Sequence, residues 1–262
     1  MSAVRLVTFN VHHGVGDDGR HDLARVARVL DDADADVICL QEVDRHFGGR
    51  SEHVDQALLL AEALDRELVW SPSIDRPGSG ESHRRQYGNA VLSRLPVRGS
   101  HVHRLPGGGE PRSAVHVEVA TAAGPLQVVA THLSSGSAAD RAAQAAAVCA
   151  LRTGEGAWVL AGDLNADARA AELRVLRAGL ADAWELAADR RDQARRFSLR
   201  GGRGLTHPAR RPRVRIDQVW VSPEVTVTGA RVLDGSTSSD HHPLLVDLEL
   251  RVRPAAAPGA AG

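Results

Sequence analysis

Lysine is absent from the sequence, so all 32 basic side chains are arginines. Together with the many alanines, that bias follows from GC-rich coding better than from any function. Aromatic residues make up only 3% of the chain, too few to stack successive bases of an extended single strand. The two cysteines, Cys39 and Cys149, sit in an apolar run and an alanine-rich stretch. They read as small buried hydrophobes and not as a disulfide or a zinc site. No apolar run is long enough to cross a bilayer. No basic amphipathic stretch marks a membrane-surface helix, and the start of the chain lacks the pattern of an export signal. These absences lead us to expect a cytoplasmic monomer without a transmembrane segment. A formal net charge of -1 also gives none of the basic footprint of a non-specific nucleic-acid binder, although an arginine-lined groove fits within a neutral total.

What is present is a series of apolar runs that end in polar residues. With 262 residues the chain can bury a substantial core as one large α/β domain or two small ones. No linker or repeat interrupts 1–250, which reads as one domain. Residues 251–262, Pro/Ala/Gly only from Pro254, read as a disordered tail.

Residues 4–11 predict a strand, 22–31 a helix with Leu23, Val26, Ala27 and Leu30 on one face, and 37–40 a buried strand. A helix over 56–64 leads to a strand near 68–70, then a turn-rich loop over 72–86. Strands are expected at 88–92, 114–119 and 126–131, and a polar cap at 134–137 starts a helix over 138–151. The pattern continues with strand 158–161, helix 170–178 and strands 218–221, 226–233 and 244–250. The arginine-rich stretch 189–215 lacks periodicity and reads equally as a phosphate grip or a solvated loop. Two β-rich halves with helices predict a four-layer α/β sandwich, two mainly antiparallel β-sheets packed face to face with helices outside.

The strand ends carry the chemistry. Asn10 closes the first run, and Glu42 follows Val37-Ile38-Cys39-Leu40, where a carboxylate must leave the core or find a cation. Thr131-His132-Leu133 and Gly162-Asp163-Leu164-Asn165 end two more. Ile216-Asp217-Gln218 opens another, and Ser239-Asp240-His241-His242 precedes the last. Each has a bland reading as a surface cap, a structural histidine, an Asx turn or a loop residue. Those bland readings would have to hold at every strand end at once. His12 and His13 lie just past Asn10 and read as loop residues. Carboxylates, a carboxamide and imidazoles meeting at one rim suit a hard cation, an ordered water and a phosphate.

In order along the chain, Thr8-Phe9-Asn10, Leu40-Gln41-Glu42, Tyr87-Gly88-Asn89, Glu110-Pro111-Arg112, Thr131-His132-Leu133, Gly162-Asp163-Leu164-Asn165, Ile216-Asp217 and Ser239-Asp240-His241 closely resemble the endonuclease/exonuclease/phosphatase superfamily, the fold of pancreatic deoxyribonuclease. The likeness covers about residues 4–250. It implies Glu42, with Asn10 and Asp240, as ligands of Mg²⁺ or Mn²⁺. It implies Asp163 as the group that orients or deprotonates the attacking water, and Asn165 as a phosphoryl-oxygen holder. Asp217 and His241 would form a carboxylate–imidazole pair, His132 would contact the phosphate or leaving oxygen, and Tyr87 and Arg112 would line the phosphate site. Abasic-site endonucleases of this superfamily usually carry tyrosine where this chain has His132, which argues against abasic-site repair.

The expected activity is thus metal-dependent hydrolysis of a phosphodiester or phosphomonoester on a small molecule or lipid head group. A DNA or RNA nuclease is the alternative enzyme reading, and a catalytically inactive phosphate-binding module on the same fold is the alternative outside catalysis.

Overall fold

Period-two alternation of apolar side chains marks a sheet face, and most of the apolar runs sustain it. The computed structural model describes residues 2–78, 83–154, 156–193 and 202–251, and the backbone of 199–200. The expected tail, from 252 onward, lies outside the described residues. The strands are β1 (Ser2–Asn10), β2 (Val37–Arg45), β3 (Glu67–Arg76), β4 (Arg85–Ser93), β5 (Val97–Leu105), β6 (Arg112–Thr121) and β7 (Gly124–His132). They continue with β8 (Ala157–Asp163), β9 (Ala181–Asp182), β10 (Asp189–Asp192), β11 (Leu199–Arg200), β12 (Asp217–Val221), β13 (Val225–Val232) and β14 (Leu244–Leu250). The helices are α1 (Leu23–Ala33), α2 (Gln56–Ala63), α3 (Ala138–Cys149) and α4 (Ala183–Leu186).

One sheet has the order β11-β10-β13-β14-β1-β2-β4-β3 and the other β5-β6-β7-β8-β12-β9. The pairings are mainly antiparallel. The parallel exceptions are β1 with β2, β10 with β13 and β7 with β8. Helices α1 and α3 supply the crossovers of the first and last of these, as a parallel pair requires.

Three apolar layers hold the sandwich together. Val4 and Leu6 of β1, Val37 and Cys39 of β2, Val128 and Ala130 of β7, and Val159 and Ala161 of β8 fill the space between the sheets. On the alternate parity, Val7, Phe9, Ile38 and Leu40 face outward and pack beneath Val26 and Leu30 of α1 and Leu60 of α2. Val129, Trp158, Leu160 and Trp220 do the same for Val148 of α3. Each such leucine or isoleucine, removed from water, contributes about 1.5–3 kcal/mol. The helix starts are fixed by side-chain caps: Asp22 accepts from Arg25 N, Asp55 from Leu58 N and Ser137 from Asp140 N. These caps add about 1 kcal/mol apiece.

Some elements depart from expectation. Both ends of 72–86, expected as a loop, belong to a hairpin: β3 runs on to Arg76 with a bulge between Pro72 and Ile74, and β4 starts at Arg85. The expected helix over 170–178 is two short 3₁₀ turns, Ala171–Leu173 and Leu176–Ala178, which bury Leu173 and Leu176. Strand β5 was not expected; it is an edge strand with Arg98, His101 and Arg104 exposed.

The alternation also sets the site. Val4, Leu6 and Thr8 lead along the inner face of β1 to Asn10. Leu126, Val128 and Ala130 lead to His132, Val159 and Ala161 to Asp163, and Val221 and Val219 back to Asp217. The inner face therefore turns from apolar to polar at one rim. At that rim β8 must approach β7 closely, and a Cβ on Gly162 would stand 1.9 Å from the Thr131 carbonyl oxygen. Gly162→Ala should therefore cost about 2–4 kcal/mol in urea unfolding, whereas Gly99→Ala, with nothing within 4 Å, should stay within about 0.5 kcal/mol of the parent. Equal stabilities would show that the strand spacing does not depend on Gly162.

Candidate active site

Asp163 is the centre of the cluster. It pairs in register with His132 on the parallel side and with Asp217 on the antiparallel side. The Asn10 amide reaches across from the other sheet to donate to Asp163 Oδ2 at 3.0 Å, and lies 3.0 Å from Glu42 Oε1 as well. His132 Nε2 and His241 Nε2 lie 3.5 Å and 3.8 Å from the same Asp163 oxygen. The other oxygen, Oδ1, accepts from Asn165 N at 2.9 Å. Asn165 takes a left-handed conformation, φ 51°, so the Asx turn considered as a bland reading is present and is also what aims this carboxylate.

Burial comes first among the causes that push the Asp163 pKa up to about 7; nearby Asp217 adds to it, while His241, the Asn10 amide and Asn165 N–H oppose it. His241 shifts the other way. Burial, the largest single cause, disfavours its charge, but Asp217, 2.8 Å from Nδ1, together with Asp163 and Asp240 outweighs it and lifts the ring to about 10. His241 is therefore an imidazolium at neutral pH, with Nδ1–H donating to Asp217.

His132 is held neutral. Burial, then Arg112 and His241, keep its pKa well below the ordinary histidine range. Arg112 Nη1 stands 3.1 Å from Nδ1, and a guanidinium can only donate, while Nε2 faces the Asn165 amide nitrogen, also a donor, so the neutral ring accepts from one of the two. Asn165 Nδ2 lies 2.9 Å from that Nε2 and donates to Leu133 O at 3.0 Å. Arg112 is buried and pairs with Glu110 at 3.0 Å. The Tyr87 hydroxyl is driven to a raised pKa first by burial, then by Glu42 and Glu110; its ring lies under Arg50.

Glu42 does not end its strand. β2 continues to Arg45 past a bulge between Leu40 and Val43, and Glu42 sits on the bulge at φ 58°. Its carboxylate meets the Asn10 amide and, among the described residues, no guanidinium or imidazole at ion-pair distance. Among the described residues, the cationic side chains at ion-pair distance from Asp240 are imidazoles, His12 at 3.7 Å, His207 at 3.9 Å and His241 at 4.0 Å. Glu42 and Asp240 are each a carboxylate without an arginine partner, a type of ligand that fits Mg²⁺ or Mn²⁺. Two groups, His207–Asp240–His241 and Asp163–Asp217–His241, have ligand atoms mutually within 4.8 Å, and neither includes Glu42.

The structure thus brings together Asn10, Glu42, His132, Asp163, Asn165, Asp217 and His241, with Arg112 behind His132, Tyr87 under Arg50, and Asp240 next to His241. Sequence reasoning missed the supports. Ser239 Oγ donates to Asn10 O at 2.6 Å and accepts from His241 N, which ties the loop before β14 to the end of its neighbour β1. Asn89 and Thr131 both donate to Ser113 O under the site. Ser239 was legible as part of its motif, whereas His207 had no signal among its arginines and prolines. His12 uses its backbone N–H to fix Asn10 Oδ1.

A family profile described as the endonuclease/exonuclease/phosphatase family matches residues 7–241. The chain belongs to that family. Among curated proteins, none matches the sequence. An endonuclease/exonuclease/phosphatase from Beutenbergia cavernae is 30% identical with a TM-score of 0.78, over 98% of this chain and 74% of that one. A mannosyl-6-phosphatase from Bacteroides thetaiotaomicron superposes with a TM-score of 0.73 at 19% identity, over 94% of this chain and 100% of the other. The human nocturnin catalytic domain, with bound sulfate, gives 0.67 at 18% identity, over 95% and 94%. The latter two establish likeness of fold. No helix among the described residues is long and apolar enough to cross a membrane.

The left-handed backbone at Glu42 predicts a stability signature independent of activity. Glu42→Gly and Glu42→Ala both remove the carboxylate, but only glycine relieves the strain. In metal-free buffer the glycine variant should be more stable than the alanine variant by about 1 kcal/mol. An alanine variant as stable as the glycine variant would show that the bulge is unstrained.

Proposed function

We propose that this member of the family is a divalent-metal-dependent phosphoesterase that cleaves a phosphodiester or phosphomonoester by in-line attack of water. The observation that carries the reading is the convergence on Asp163 of Asn10 and the β13–β14 loop residue His241 from one sheet and of His132 and Asp217 from the strands beside it in the other. Glu42, Asn10 and Asp240 would hold Mg²⁺ or Mn²⁺, which when bound offsets the charge developing on the phosphoryl and leaving oxygens.

Asp163, with a pKa close to neutrality, orients the water and accepts its proton, which suits a general base. The His241 imidazolium, charged through Asp217, donates to a phosphoryl oxygen; this favours the role of stabiliser over that of base. His132, held between Arg112 and Asn165, faces the phosphate or leaving oxygen, and Asn165 offers its amide. These donors sit on a rigid rim and need no reorganisation as charge builds. Arg112 also supplies the positive charge that draws an anionic ester in, and Tyr87 closes that side. The small number of aromatic residues and the near-neutral charge favour a small-molecule or lipid head-group phosphate over a polynucleotide.

The purified protein should hydrolyse bis-p-nitrophenyl phosphate, p-nitrophenyl phosphate or a phospholipid in the presence of Mg²⁺ or Mn²⁺. EDTA should abolish turnover, and added metal should restore it. Glu42→Ala, Asp163→Asn and His241→Ala should each lower kcat by about 10²-fold or more while leaving the thermal transition cooperative. Turnover that survives EDTA or these substitutions would overturn the mechanism. A preference for plasmid DNA or RNA, with activity falling steeply as salt rises, would replace the substrate class with a nuclease.

A further inference from the structure

His207 lies in the arginine-rich stretch that the mechanism leaves unused, yet it is built onto the catalytic loop. Ala209 N donates to Asp240 O at 2.7 Å and His242 N donates to Thr206 O at 2.8 Å, so residues 206–209 are fastened to 240–242 in both directions. Thr206 Oγ1 in turn accepts from Ile216 N and Asp217 N. The segment is therefore held in place on both sides of His207.

The side chain is aimed at the same loop. Its ring centroid is 4.5 Å from that of His241, and its Nε2 stands 3.9 Å from Asp240 Oδ2. That gap is too long for a hydrogen bond, and among the described residues the ring makes none. Two ligand atoms that share one cation, each at about 2.1 Å, stand roughly 3–4 Å apart. The other nitrogens at Asp240 have further neighbours. His12 Nδ1, 3.7 Å from Oδ1, donates to Val15 O at 3.1 Å. His241 is held through Nδ1 by Asp217, and its Nε2, 4.0 Å from Asp240 Oδ1, also lies 3.5 Å from the Asn10 amide and 3.8 Å from Asp163 Oδ2. Among the described residues, His207 Nε2 faces this carboxylate without a hydrogen bond of its own.

We propose that His207 is a nitrogen ligand of the divalent cation held at Asp240, and that it biases the centre away from Mg²⁺ towards Mn²⁺ and other first-row transition ions. Mg²⁺ prefers oxygen ligands and retained water, whereas imidazole adds affinity for the transition series. The inference rests on the reading above that Asp240 belongs to the metal centre. It assigns a role to a residue outside the motifs that define the site.

Cation binding, and not turnover, is the readout. Mn²⁺ binding to the full chain is followed by the EPR signal of the free ion, Mg²⁺ by competition, and Co²⁺ by its visible d–d bands. The parent chain, Glu42→Ala and His207→Phe are compared, since phenylalanine keeps a ring against His241 and removes the nitrogen. We expect His207→Phe to weaken Mn²⁺ and Co²⁺ binding by about tenfold or more, to change the Co²⁺ bands, and to leave Mg²⁺ affinity within about twofold. Unchanged Mn²⁺ affinity and Co²⁺ spectrum in His207→Phe, or an equal loss of Mg²⁺ and Mn²⁺, would overturn the proposal. No cation binding by the parent, or binding indifferent to Glu42→Ala, would instead overturn the underlying metal reading.

Discussion

Two carboxylates, Asp163 and Asp217, face each other across one antiparallel register, both buried on the inner face of the sheet. Like charges in that position repel, and removing either from water is costly. The pair is tolerable only if one carboxylate is compensated and the other kept neutral or neutralised by a neighbour. His241 provides the compensation for Asp217, while burial and the nearby Asp217 raise the pKa of Asp163 and so favour its neutral form. The loop 235–242 is therefore under an electrostatic requirement to return to this point. Ser239, hydrogen-bonded to Asn10 O, then fixes that loop to the end of β1. Asp217 Oδ1 is buried without a hydrogen-bond partner, so the charge of Asp217 rests on one imidazole.

The same economy applies around the rest of the rim. Arg112 is buried beside His132 and borrows Glu110 for its charge. Behind it, Ser71, Ser73, Asn89 and Thr131 gather on Ser113, a fully buried polar patch in which each hydroxyl or amide finds a partner. Such a patch transmits the rigidity of the apolar layer to the groups at its edge. Glu42 is the exception, since its backbone sits in a conformation that most residues avoid. Strain tolerated at one acidic residue beside a cluster of donors is what a functional constraint leaves behind.

The sheet sandwich was legible because buried strands announce themselves as apolar runs, and the rim was legible because those runs stop at Asn10, His132, Asp163 and Asp217. Legibility failed where packing and not pattern decides. β5 reads Val97-Arg98-Gly99-Ser100-His101, without an apolar face, because as an edge strand it packs little. The stretch 170–178 has helical spacing but only one turn's worth of buried leucine at each end, so it settles into two separate turns. The bulge at Glu42 cannot be seen in Leu40-Gln41-Glu42-Val43, since a register shift is a property of two strands. His207 was hidden for the same reason: its neighbours in space, Asp240 and His241, are more than thirty positions away. Arg215, in the stretch that could have been a solvated loop, is buried against Asp182 at 2.6 Å, a partner equally remote in sequence.

The last strand among the described residues, β14, lies between β1 and β13, with three strands on one side of it and four on the other. Seven residues of β1 and a comparable span of β13 depend on it for their ladder, and His241 comes from the turn just before it. The described chain therefore closes on itself: its first and final strands are neighbours, and Asn10 and His241 meet only when both are in place. A fragment lacking either end would lose a central strand together with part of the site. Partial proteolysis or interrupted synthesis should consequently yield inert pieces, never a weakened or unregulated hydrolase, a built-in safeguard against stray activity from incomplete molecules.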